Sequence, residues 1–130
     1  MTETEIVFKL VHSDERRDIY SNIDLLNGKE VSIIKLKAGK AIGGCVHLKD
    51  EGFAILKGEG FIEWGEEKSK YTNDNLMTGN ILKWTPHAFY AEEDSIIIEW
   101  GITPEEKKNS PKDEELLNSV KEYNEDIHSV

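Results

Sequence analysis

Four side chains in this 130-residue sequence have types and spacing suited to one shared chemistry: Cys45, His47, Glu51 and His87. Cys45 and His47 lie two apart, which on an extended strand puts both on one face. Glu51 follows a turn and opens the next apolar run, so antiparallel pairing is expected to bring it back beside His47. His87 directly follows Pro86. The proline ends one strand, and His87, Phe89 and Ala91 then share a face of the next. Sulfur, imidazole and carboxylate converging inside a barrel make a first-row transition-metal site. Singly, Cys45 reads as a small buried hydrophobe and each histidine as a satisfied core or rim residue. The other two histidines, His12 and His128, are assigned no role.

Two further groups are suited to holding a ligand. Arg16 and Arg17, within the segment His12 to Tyr20, can clamp a phosphate or carboxylate bidentately, or pair on the surface with Asp14, Glu15 and Asp18. Tyr90, with Trp64, Trp84 and Trp100, can stack on a ligand at a barrel mouth or fill core layers.

The elements that must position these residues are short strands. Candidates are Ile6–Val11, Asp18–Asn22, Val31–Lys37, Ile42–Leu48, Gly52–Lys57, Gly60–Trp64, Ser69–Thr72, Asn80–Trp84, His87–Glu92 and Ser95–Gly101. They are rich in β-branched and aromatic residues and are separated by turn signals such as Asn27-Gly28 and Thr85-Pro86. So many short strands in under a hundred residues imply a sandwich or barrel. From Thr103 the stretch TPEEKKNSPKDEE reads as a linker, followed by a helical stripe of Leu116, Leu117, Val120, Tyr123 and Ile127. Ser110 is the expected N-cap, with Pro111 at the first helical position. The organisation is therefore a barrel over residues 1–103, and a linker and amphipathic helix over 104–130, packed on the barrel or on a second subunit.

Gly39, His47, Glu51 and Gly58, followed by Gly79, Pro86 and His87, resemble the two motifs of the cupin superfamily. The resemblance implies an all-β fold, a double-stranded β-helix or jelly roll, with the C-terminal α-helix added to it. It implies metal ligation by His47, Glu51 and His87, with Cys45 standing where the family has its first histidine. The implied cofactor is a divalent metal (Zn, Fe, Mn or Ni), or none if the cysteine marks a lost site; a thiolate would favour Zn. The implied ligand is a small polar metabolite, a carbohydrate or organic acid, with Glu51 and His87 as candidate catalytic groups and Arg16 and Tyr90 as candidate substrate contacts. The segment from His12 to Tyr20 resembles, more weakly, the Asp-x-Arg-Gly-x-Leu opening of cupin-fold sugar-nucleotide isomerases and epimerases. That suggests metal-free isomerisation in carbohydrate metabolism, with His47 or His87 as base and Arg16 on the phosphate. A non-catalytic ligand-binding barrel is the third reading, because fold alone does not choose. By the fold's habits, a homodimer is expected.

Composition sets the outer limits. Lysine and arginine total 16 against 26 acidic residues, a net charge of −10. Such a surface repels nucleic-acid phosphates and anionic membranes, so neither partner is expected. No apolar run approaches the ~20 residues of a membrane span. MTETEIVFKL lacks the features of a secretory leader. The single cysteine fits a reducing, cytoplasmic compartment.

Overall fold

The computed structural model describes residues 5–126. Ten strands follow one another: β1 (Lys9–Ser13), β2 (Arg17–Leu26), β3 (Lys29–Leu36), β4 (Ala41–Cys45), β5 (Glu51–Lys57), β6 (Gly60–Trp64), β7 (Glu67–Tyr71), β8 (Thr78–Ile81), β9 (His87–Ala91) and β10 (Ser95–Ile102). Two helices close the chain, α1 (Pro104–Lys108) and α2 (Glu114–Asp126). The strands form two antiparallel sheets, of order β1-β2-β3-β10-β5-β8 and β4-β9-β6-β7. Consecutive strands repeatedly change sheets, and this gives the double-stranded β-helix that the resemblance implied, within the sandwich or barrel expected from the strand count.

Alternation of side chains explains the core. Ile34 and Leu36 on β3, Phe53 and Ile55 on β5, and Ile97 on β10 face Ile42, Ile62 and Phe89 from the smaller sheet. Asn27 and Gly28 both take positive φ, at 51° and 91°, and close the β2–β3 hairpin as the dipeptide suggests.

The region expected to be a linker is structured. Thr103 caps α1 in a reciprocal capping box with Glu106, and Pro104 opens the helix. α2 begins later than expected, because Asp113 rather than Ser110 accepts the free N–H, that of Leu116, at 2.9 Å. Leu116, Val120 and Tyr123 then pack on the outer face of the smaller sheet against Ala41, Ala88 and Tyr90. Ile127 and His128 lie outside the described residues.

This tail also covers the free edge of β4. The Asp113 N–H donates to the Gly44 carbonyl and the Val46 N–H to the Pro111 carbonyl, both at 2.8 Å. Lys112 forms an isolated bridge with Cys45, and the Asn124 amide bonds both the N–H and the carbonyl of Ala41. An edge so covered offers no unpaired backbone to another chain.

Candidate metal centre

The site is built where β4 and β9 end at the barrel mouth. Gly43 and Gly44 have φ of 122° and 96°, and the β4–β9 register slips between Gly43 and Cys45. A Cβ on Gly43 would stand 2.6 Å from the Ala88 Cα and the His87 carbonyl, so only glycine lets the two strands approach there. The bulge ends β4 at Cys45, and His47 lies beyond the strand in the crossing segment. The expectation of one strand holding Cys45 and His47 on a common face therefore fails; the bulge re-aims the chain. Glu51 opens β5, which belongs to the other sheet. It meets His47 across the barrel interior rather than by pairing beside it, contrary to the antiparallel return expected from the turn. Two hydrogen bonds hold the crossing segment to the turn before His87: Trp84 N–H to the His47 carbonyl and Lys83 N–H to Asp50 Oδ1, each 2.8 Å.

His47, Glu51 and His87 are all buried, and one ligand atom from each lies within 4.8 Å of the others. Glu51 Oε1 stands 3.8 Å from His47 Nε2 and 3.3 Å from His87 Nε2. The far nitrogens decide the tautomers. Ser110 Oγ gives its proton to the Glu106 carbonyl, so at 2.7 Å it accepts from His47 Nδ1–H. A carbonyl only accepts, so Thr85 O takes the proton of His87 Nδ1, at 3.3 Å. Both Nε2 lone pairs therefore face Glu51 Oε1, a buried oxygen with no hydrogen-bond partner. Two lone pairs and a carboxylate oxygen converging without a donor suit a cation, and Nδ1 anchoring is how metal-bound histidines are oriented. The residues present fit a divalent metal.

Charge supports the same fit. Burial, then the neighbouring His87, pushes His47 down to about 4, so its ring is neutral at ordinary pH, as a ligand must be. For His87 burial works downward, but the contact with Glu51 and the charge of Glu99 outweigh it and raise its pKa.

Beside this group lies a cavity of about 380 Å³, whose wall includes Arg16, Arg17, Cys45, Glu99, Lys107 and Lys112 as well as the two histidines. Glu99 is the residue the sequence reading missed. It lies on β10 in the inward row Ser95, Ile97, Glu99, and all three are buried. The flanking Ile96 and Ile98 made both faces of the strand look apolar; the parity of Ile97 was the signal that could have found it. Burial, then the charge of Glu51, pushes Glu99 up to about 7. Lys107 on α1 is the countercharge. Burial disfavours its cation, but Glu99, Glu30 and Glu51 more than offset this, and its Nζ donates to Glu30 Oε1 at 3.1 Å.

Three of the four expected ligands come together. Cys45 lines the cavity but stands outside the His–Glu–His group, because the bulge and its bridge to Lys112 turn it away. Arg16 reaches the cavity wall and is paired at 3.4 Å with Asp14. Tyr90 does not reach the cavity. On β9 it has the opposite parity to His87 and Phe89, and it stacks on Phe61 at 4.6 Å beneath α2. Its assignment as a substrate contact is corrected to a packing role. Trp64 meets Phe53 edge-on in the core, and Trp84 is exposed.

Fold and site geometry together define a cupin fold. Solved structures share it at low identity. CapF, the capsular polysaccharide assembling protein of Staphylococcus aureus, superposes with a TM-score of 0.59 and 22% identity over 75% of this chain. The salicylate 1,2-dioxygenase of Pseudaminobacter salicylatoxidans gives 0.59 and 15% over 67%. The chain spans 28% of CapF and 26% of the dioxygenase. The plu4264 protein of Photorhabdus luminescens is matched over 86% of its own length and 78% of this chain, at 16% identity and a TM-score of 0.58. No protein-family model and no curated protein matches the sequence.

Proposed function

We propose that this protein holds a divalent metal through His47, Glu51 and His87 and binds a small polar metabolite in the adjoining cavity. The observation that carries this reading is Glu51 Oε1, buried without a partner between two anchored imidazoles. Two imidazoles and one carboxylate suit Zn, Fe, Mn or Ni; with Cys45 outside the group, the thiolate argument for Zn lapses. A bound metal supplies Lewis acidity toward a carbonyl or hydroxyl oxygen. Around it, the chain's own residues shape the ligand's place: Ser110 and Thr85 orient the rings, and Phe89 and Ile42 give the cavity apolar wall. A cavity of about 380 Å³ sits near the low end of the ~300–1,000 Å³ common for ligand sites. That size favours an organic acid or single sugar over the nucleotide-sugar of the metal-free alternative.

Metal analysis of the purified, metal-loaded protein tests the reading. Stoichiometric metal is expected in the wild type and in Cys45→Ser, and its loss in His47→Ala, Glu51→Ala and His87→Ala variants whose circular dichroism is unchanged. A folded wild type that takes up no metal sinks the proposal and leaves metal-free isomerisation or simple ligand binding.

A further inference from the structure

Among the described residues, three buried side-chain polar atoms lack a hydrogen-bond partner: Glu51 Oε1, Tyr90 Oη and Arg17 Nε. The first belongs to the metal group and the second lies under α2. Arg17 is the one that borders the cavity while serving neither.

Its direction follows from the strand. Arg17 opens β2 opposite the buried Leu36, and two residues on Ile19 keeps the same inward parity; both line the cavity. The preceding turn sets this orientation, since Asp14 Oδ1 accepts from the backbone N–H of Arg16 at 2.7 Å and of Arg17 at 3.0 Å. Of the other cations of the wall, Arg16 is paired with Asp14 and Lys107 with Glu30. No ion pair to Arg17 is found among the described residues; its Nε is buried without a partner and the residue borders the cavity. A buried donor left unpaired is costly, and an acceptor that reaches it recovers that cost.

We propose that the ligand of this cavity is a small monocarboxylate with an apolar body, selected by Arg17. The inference rests on the reading of this cavity as the ligand site. Charge gives the sign. Arg16 and Lys107 are held by Asp14 and Glu30, which leaves Arg17 and Lys112 as the wall's cations without an ion pair among the described residues, facing Glu99 inside a chain of net charge −10. Two such cations favour an anion at this place in a protein that repels anions elsewhere. Geometry gives the group, for a guanidinium fork matches a carboxylate with two parallel hydrogen bonds. Phosphate offers similar oxygens, but it brings a second negative charge beside the buried Glu51 and Glu99. The body follows from Ile19, Ile34, Ile42 and Phe89, which face the same space and offer no hydrogen bonds to hydroxyls.

The test uses benzoate and isovalerate, their neutral isosteres benzamide and isovaleramide, and inorganic phosphate, read by thermal shift and calorimetry on the whole protein. Both carboxylates are expected to raise the melting temperature of the wild type, with the amides and phosphate inert. Arg17→Gln is expected to weaken carboxylate binding about tenfold or more, the loss of a charge-assisted hydrogen bond, while its metal content stays that of the wild type. If Arg17→Gln fails to fold, Arg17→Lys keeps the charge, loses the fork and is read the same way. Amides that bind as well as carboxylates, phosphate that binds better, or carboxylate binding unchanged in the variant each overturn the inference. An Arg17-dependent carboxylate shift in a wild type that takes up no metal sinks the metal reading and leaves this one standing.

Discussion

The most consequential single contact outside the His–Glu–His group is Ser110 on His47. Its hydroxyl spends its proton on Glu106 and so forces His47 to present Nε2 to the interior. Ser110→Ala removes that acceptor and frees the ring to rotate or change tautomer. Loss of such a supporting contact commonly weakens metal affinity about 10–100-fold. Competition with a chromogenic chelator measures it, and Ser110→Thr, which keeps the hydroxyl, is expected to restore much of the loss. Unaltered affinity in Ser110→Ala would show that the serine only closes the end of α1. At this scale the sequence was informative where chemistry is strong and local. Two histidines and a glutamate in a spaced frame were legible. Ser110 was not, because its polar neighbours and the following proline read as a helix start. Tyr90 was misplaced although the parity of His87 and Phe89 already put it on the other face.

Among the elements, the strands were nearly all legible, for period-two patterns with Gly, Asn and Pro at the turns are written locally. What was not legible is how they share sheets. β4 and β5 are neighbours in sequence and opposite in the barrel, so Glu51 reaches His47 across the interior. The β4 bulge, set by two adjacent glycines at positive φ, was equally hidden. One element-level device can be tested directly. On β5, Gly52 lies under Trp100 of β10, and a Cβ there would collide with the indole ring at Cε2. Because backbone pairing holds both strands, the ring must move. Gly52→Ala is expected to destabilise the protein by about 1–3 kcal/mol, the usual cost of overpacking. Denaturant unfolding measures the loss, and Trp100→Leu in the same chain should recover part of it. Additive losses in the double variant would place the cost elsewhere.

For the whole molecule, charge and apolar surface divide differently from the sequence expectation. The stretch expected to be a linker carries charge to the site, since its Lys107 and Lys112 line the cavity. Among the described residues, no helix is long and apolar enough to cross a membrane. Among the described residues, β1 is an edge of the six-stranded sheet, and all five of its residues are exposed. Ile6, Val7, Leu10, Val11, Ile23, Leu25 and Leu26 are exposed on or near the β1–β2 ribbon. A free edge that bears apolar side chains is a template for another strand, and a second copy offers the same edge about a two-fold axis. We propose that pairing: light scattering after gel filtration should give twice the chain mass, and Leu10→Lys with Val11→Lys should give the monomer. A monomeric wild type at micromolar concentration rejects it. The covering of β4 by the tail has a further consequence in time. Synthesis runs from the N-terminus, and every barrel strand leaves the ribosome before α1 and Ser110 do. In chain order, then, all ten strands precede Ser110, the partner that fixes the tautomer of His47.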